Sequence, residues 1–129
     1  MSMYADSIVR IHCSLNNFFS YWVEFMRPFH KLTDREGEVF SLFLEERYNL
    51  SKVIHDEDIL DNVLMSEETK KKIRERGEVG VQHIYAIMKS FEKNKVIVNG
   101  RINRRFVPRV PSEKGNYKLM FLFEFKGDE

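Results

Sequence analysis

Apolar residues near the start of the chain recur at alternating spacings of three and four, which is the pattern of one face of a helix. The pattern predicts an amphipathic helix over residues 6–29, and Pro28 is expected to stop or redirect it. The apolar seam consists of Ile8, Ile11, Leu15, Phe18, Trp22, Phe25 and Phe29, with Phe19, Val23 and Met26 on the adjoining face. Either the core of the domain or a second copy of the chain is expected to cover this stripe.

The second predicted helix has a clear start signal. Thr33 and Glu36 form the pattern of a capping box, in which each side chain accepts a hydrogen bond from the other residue's backbone N–H. The apolar residues that follow predict a helix to about Tyr48, and they are Val39, Phe40, Leu42, Phe43 and Leu44. The acidic stretch 49–65 that comes next is compatible with one short helix.

Two further helices are predicted around a glycine-containing turn. Ser66 precedes two glutamates and therefore predicts a helix N-terminus, and Gly77 is expected to end that helix. The next helix is predicted over residues 80–94. Its core face is expected to hold Val81, Ile84, Tyr85, Met88 and Phe91, and its solvent face Gln82, His83, Ala86, Lys89 and Lys93.

Beyond this helix the apolar pattern changes from a helical period to an extended one. Asn99–Gly100 lies between two short apolar runs, and it predicts a β-hairpin because both residues tolerate the positive φ of a type I′ turn. Aromatic residues then alternate along 117–126, which predicts a strand with one aromatic face. Together the elements predict a single α+β, mostly helical domain over 1–129, with a winged helix-turn-helix core at 32–109.

The charge distribution is uneven although the net charge is only +1. Residues 1–69 hold 6 Lys+Arg and 13 Asp+Glu, whereas residues 70–129 hold 15 and 7. Residues 70–109 alone hold 12 basic and 3 acidic residues. Such clustering is what binding to the phosphates of a nucleic acid requires, provided that the acidic half points away. Two oppositely charged solvated faces are the alternative.

A helix-turn-helix places the start of its second helix against base edges in the major groove. Gln82 and His83 occupy that position and are expected to contact bases. The residues expected to hold phosphates are Lys70, Lys71, Lys72, Lys89, Lys93, Lys95, Arg101, Arg104 and Arg105. The predicted function is therefore that of a regulator or accessory factor that binds nucleic acid, with duplex DNA as the expected ligand.

Three resemblances bear on this prediction. The segment 32–39 resembles the opening of the LuxR-type helix-turn-helix, but some forty residues separate it from Gly80 and that family lacks a wing. The stretch from Ser66 to Pro108 is similar to winged-helix regulators and to plasmid or phage replication initiators. The whole chain resembles small proteins of phages that infect Bacteroidetes. These resemblances imply a DNA-binding regulator, or a virion component that adopted a winged helix.

Other chemistries have little support in the sequence. The four histidines lack metal-ligand spacing, the acidic residues at 56–61 lack the calcium-loop pattern, and neither a phosphate loop nor an activated nucleophile is visible. We therefore expect no enzyme activity, metal or cofactor. A lone Cys13, with neither a signal segment nor a membrane span, predicts the cytoplasm, or the host cytoplasm or virion for a phage protein. The alternative function is an adaptor in a larger assembly, and a homodimer through the N-terminal helix or the C-terminal strand is expected.

Overall fold

The structure is a computed structural model that describes residues 8–110 and 115–127. These residues form an α+β fold that is mostly helical, with six α-helices, one two-stranded antiparallel sheet and one 3-10 turn at Arg104–Phe106. The elements are α1 Leu15–Phe25, α2 Arg27–His30, α3 Asp34–Ser51, α4 Glu57–Leu64, α5 Glu67–Arg76, α6 Val81–Lys93, β1 Ile97–Val98 and β2 Arg101–Ile102. None of the described helices is both long enough and apolar enough to cross a bilayer.

Helix α3 is the centre of the fold, and α1, α4 and α5 pack against it. Its predicted capping box is confirmed: Glu36 N–H donates to the Thr33 hydroxyl, and Thr33 N–H donates to the Glu36 carboxylate at 2.9 Å. Phe40 lies fully buried at the middle of the core, with its ring edge-on to Phe91 and Phe106. Aromatic rings therefore hold α3, α6 and the chain after the hairpin together.

The N-terminal helix is shorter than predicted and has a different core face. Residues 8–14 are not helical, and residues 6 and 7 lie outside the described residues. Ile8 and Ile11, which were expected in the buried seam, are exposed. The buried side chains of α1 and its C-cap are Phe19, Trp22, Val23 and Met26. The periodicity thus identified the helix, but most of the predicted seam lies toward solvent and the adjoining face packs on α3.

Two polar contacts fix the position of α1 and α2 in the core. The Trp22 indole N–H donates to the carbonyl oxygen of Phe106 at 2.8 Å, although 84 residues separate the two. His30 is fully buried, and its Nδ1 accepts from Leu32 N–H at 2.9 Å. The other ring nitrogen must then carry the proton and donate to the Val23 carbonyl at 2.7 Å, so the imidazole is neutral. Burial lowers the pKa of His30 below its usual value.

Helices α5 and α6 and the hairpin follow one another as predicted. The Ser66 hydroxyl accepts from Thr69 N–H at the start of α5, and α5 ends at Arg76. The hairpin turn has φ of +56° at Asn99 and +74° at Gly100, which confirms the predicted turn chemistry. Each strand is only two residues long, with Ile97 opposite Ile102.

Residues 115–127 contain neither strand nor helix, so the predicted C-terminal strand at 117–126 is wrong as a sheet element. The segment lies along α1 instead. The Tyr117 ring is edge-on to Phe18 and Trp22 at centroid distances of 5.1 and 5.9 Å, and Phe121 lies 6.3 Å from Phe25. A strand needs a neighbour for its hydrogen bonds, and none is present among the described residues.

Candidate nucleic-acid interface

The outward face of α6 is exposed over the full length of the helix. Ile84, Ile87 and Phe91 hold the opposite face in the core. The residues predicted to face solvent are all exposed, and they are Gln82, His83, Ala86, Lys89 and Lys93. At 1.5 Å per residue, the 13 residues of α6 present a ridge about 20 Å long. Gly80 immediately precedes the helix and is also exposed, so the start of the ridge is accessible.

The core face of α6 differs from the prediction at two positions. Val81 and Tyr85 were expected in the core but are 52% and 51% exposed, and Ile87, which was not predicted, is buried. Val81 and Tyr85 border a groove of about 80 Å³ between α5 and α6. Its other walls are Glu67, Lys70, Lys71, Arg74, Ile84 and Met88. The groove therefore combines an exposed phenol ring with three cations.

The cations of α5 divide into two groups by helical position. Lys71 and Arg74 lie on the side of the groove and form no ion pair among the described residues, and Lys70 is 3.7 Å from Glu67. Lys72 and Arg76 lie on the opposite side, one turn apart. They form ion pairs with α3, Lys72 with Glu46 at 3.0 Å and Arg76 with Glu45 at 3.1 Å.

The hairpin arginines are also neutralised within the molecule. Arg101 forms an ion pair of 2.7 Å with Asp58, and Arg104 contacts Glu57 at 2.8 Å and Asp61 at 3.2 Å. The hydrogen bond from Arg104 holds the pKa of Glu57 below its usual value. The carboxylates of α4 thus bind the arginines that the sequence assigned to phosphates.

A buried ion pair lies beneath this surface network. Arg47 Nε donates to Asp61 Oδ1 at 3.3 Å, and Asp61 Oδ2 accepts from Arg104 at 3.2 Å. Asp61 is only 1% exposed. Arg47 Nη2 is buried without a hydrogen-bond partner among the residues that the structure describes. Asp61 therefore connects α3, α4 and the chain after the hairpin through both of its oxygens.

Two predicted phosphate contacts have other environments. The Arg105 guanidinium lies over the Phe29 ring at 5.4 Å from its centroid, a cation–π contact with the end of α2. Lys95 is exposed at the turn between α6 and β1, with φ of +61°. The two turn residues at the tip of the hairpin are Asn99 and Gly100, and the nearest cation is Arg101, which pairs with Val98 across the turn.

The acidic half does not point away from the basic half. Glu45, Glu46, Glu57, Asp58 and Asp61 contact basic residues of the 70–109 stretch, which contradicts the expectation that the two charges separate. Lys70 and Lys71 line the groove between α5 and α6, and Gln82, Lys89 and Lys93 are exposed on α6. Lys72, Arg101 and Arg104 are instead held against carboxylates. The sequence analysis left Arg74 out of the predicted phosphate contacts and placed Tyr85 in the core, whereas the packing of α5 beside α6 leaves both lining the groove.

No cluster of three or more metal-ligating side chains is present among the described residues. Cys13 is exposed and free. Comparisons of the chain with protein-family models, with curated proteins and with solved structures give no match.

Proposed function

We propose that the protein binds nucleic acid through the α5–α6 surface, which we define as Lys70, Lys71, Arg74, Gln82, Tyr85, Lys89 and Lys93. The observation that carries the proposal is the exposed ridge of α6, with Lys89 and Lys93 free of ion pairs among the described residues. Unpaired cations are the ones available to phosphates without breaking an internal contact. In this proposal the fold works as a winged helix-turn-helix, with α6 as the recognition helix.

Each part of the surface has a distinct role in the proposal. Gln82 lies in the first turn of α6, where a recognition helix approaches base edges, and its amide suits a bidentate contact with adenine. His83 lies beside it on the exposed side of the helix. Lys71, Lys89 and Lys93 supply phosphate contacts. Duplex DNA is the proposed ligand because a single exposed helix fits the major groove.

The proposal assigns the hairpin a different role from the one that the sequence suggested. Arg101 and Arg104 stabilise the junction with α4 rather than contact phosphates. Arg101→Gln is expected to leave the salt dependence of DNA binding nearly unchanged, whereas substitutions at Lys89 and Lys93 are expected to reduce it.

The test is a salt series with a fluorescent duplex of random sequence, measured by anisotropy between about 50 and 200 mM salt. The variant K89Q/K93Q removes two charges from the ridge. Each lost phosphate contact lowers the slope of log affinity against log salt by about 0.9, so the pair is expected to lower it by about 1.8. The control K31Q/K126Q removes the same charge at two exposed positions outside the α5–α6 surface and is expected to keep the wild-type slope.

Three results would count against the proposal. A wild-type chain that fails to bind duplex DNA at 50 mM salt would overturn it. Equal slopes for K89Q/K93Q and the control would show that binding occurs elsewhere. The role of Gln82 is tested separately, since Gln82→Ala is expected to change the ranking of duplexes of different sequence by about 1–3 kcal/mol and not the salt slope.

A second candidate function is protein contact within a larger assembly, such as a phage particle. It is supported by a different observation, the exposed apolar side chains of the 115–127 segment, among them Met120 at 90% and Phe125 at 94% exposure. Exposed apolar patches of this kind mark interaction sites. The salt series separates the two functions, because an adaptor is expected to bind little duplex at any salt concentration.

A further inference from the structure

Residues 115–127 carry apolar side chains that the domain leaves uncovered. The rings of Tyr117 and Phe121 contact α1. From Leu119 to Leu122 the exposure alternates: Leu119 and Phe121 are about 40% exposed, whereas Met120 and Leu122 are about twice as exposed. A period of two is the pattern of an extended backbone. Phe123 and Phe125 are odd-numbered like Tyr117 and Phe121 and belong to the same side of an extended segment. They lie beyond the residues that contact α1 and are 80% and 94% exposed.

The backbone of this segment is also unpaired. None of the backbone hydrogen bonds among the described residues involves residues 115–127. An extended run with free N–H and C=O groups and apolar side chains is a template for pairing with another strand. The incoming strand must match the apolar pattern and the charges of the segment.

The sequence of the segment is complementary to itself. When two copies run antiparallel with Phe121 opposite Phe121, Lys118 of one copy lies opposite Glu124 of the other, and this happens twice by symmetry. The apolar residues then face apolar residues: Tyr117 opposite Phe125, Leu119 opposite Phe123, and Met120 opposite Leu122. In this register odd-numbered residues lie opposite odd-numbered residues, so the aromatic side chains of both copies lie on the same face of the two-stranded pair.

We propose that the protein forms a symmetric dimer in which residues 117–125 of two copies pair antiparallel about Phe121. Phe123 and Phe125 of each copy then lie beside Leu119 and Tyr117 of the other, over its α1. Pairing supplies the strand neighbour that the monomer lacks and covers aromatic side chains that are otherwise in water. This inference is independent of the proposed nucleic-acid binding, and a monomeric chain would leave that proposal intact.

The test is a charge swap followed by sedimentation equilibrium of the full chain. Glu124→Lys places Lys opposite Lys twice, and Lys118→Glu places Glu opposite Glu twice. Either single variant is expected to weaken the dimer about 10- to 30-fold. The double variant K118E/E124K restores both opposite-charge pairs and is expected to recover wild-type dimerisation. Lys126→Glu is the matched control, since Lys126 falls opposite the uncharged Asn116 in this register.

Disulfide trapping tests the register without relying on charge. In a Cys13→Ser background, Phe121→Cys brings two thiols together on the symmetry axis at the Cα separation of a strand pair, which lies within the range that a disulfide spans. Phe121→Cys is expected to give a covalent dimer on oxidation. Phe125→Cys is expected to give none, because in this register Phe125 of one copy lies eight positions along the strand from Phe125 of the other. A wild-type chain that is monomeric at about 100 µM, or a double swap that fails to restore the dimer, would overturn the proposal.

Discussion

Asp61 makes the sharpest prediction about stability, because both of its oxygens hold arginines while its side chain is almost completely buried. Asp61→Asn keeps the shape of the side chain and removes its charge. The amide nitrogen then faces one of the two guanidinium groups as a donor against a donor. Arg47, whose side chain is 11% exposed, would remain buried without a counter-charge.

The magnitude follows from burial. Removing one partner of a buried ion pair costs about 3–5 kcal/mol, since the remaining charge keeps its desolvation penalty. That is a large part of the roughly 5–15 kcal/mol that stabilises an ordinary domain. Asp58→Asn is the matched control, with the same substitution on the same helix. Asp58 is 74% exposed in its pair with Arg101, so its loss is expected to cost below about 1 kcal/mol.

The assay is urea unfolding followed by the fluorescence of Trp22, the single tryptophan, which is buried in the folded chain. All variants are compared at one protein concentration, because self-association would otherwise change the midpoint. Equal m-values are required before the free energies are compared. A difference below about 1 kcal/mol between the two variants would refute the view that burial of Asp61 sets the strength of this junction.

A complementary variant separates the charge from the packing. Arg47→Met combined with Asp61→Leu replaces the buried pair with apolar side chains of similar length. Such replacements are often neutral or stabilising, so the double variant is expected to be more stable than Asp61→Asn alone. Arg104 then loses one carboxylate but keeps Glu57. A double variant as unstable as Asp61→Asn would show that the site depends on ionic contacts and not on the cost of an unpaired charge.

Three further predictions follow from single contacts. Because burial lowers the pKa of His30, the unfolded chain takes up a proton below about pH 6.5 that the folded chain does not. The free energy of unfolding is therefore expected to decrease as the pH falls from about 7.5 to 5.5. In urea titrations, His30→Gln is expected to flatten this pH dependence. Gly100→Ala is expected to cost about 1–2 kcal/mol because φ is +74°, whereas Gly127→Ala is expected to have almost no effect on Tm. Trp22→Phe leaves the buried carbonyl of Phe106 without its donor, and circular dichroism during urea unfolding is expected to show a loss of about 1–3 kcal/mol.

Local signals in the sequence predicted local structure well. The capping box at Thr33 and Glu36 and the turn at Asn99 and Gly100 were identified correctly because each acts on backbone within four residues. The helical period of 81–93 was also sufficient to find α6. The period did not identify the exact core face, because the burial of Ile87 and the exposure of Tyr85 beside an open groove depend on how the neighbouring elements pack against α6.

The environments of the charged side chains, by contrast, could not be predicted from local sequence. The count of cations in 70–109 was correct, but their surroundings depended on contacts across 26 to 43 residues, such as Lys72 with Glu46 and Arg104 with Asp61. A helical wheel separates Lys72 and Arg76 from Lys71 and Arg74, and it therefore contained part of the answer. The pairing of the hairpin with α4 has no local signal, since it requires the packing of α4 on α3 to be known.

The hydrogen bond between Trp22 and Phe106 also has a consequence for the order in which the chain matures during synthesis. Its acceptor is made 84 residues after its donor. At roughly 5–20 residues per second, the indole waits about 4 to 17 seconds for that carbonyl. During this interval α1 can pack against α3, but its hydrogen bond to the chain after the hairpin cannot form, so the docking of α1 is completed only after Phe106 has been synthesised.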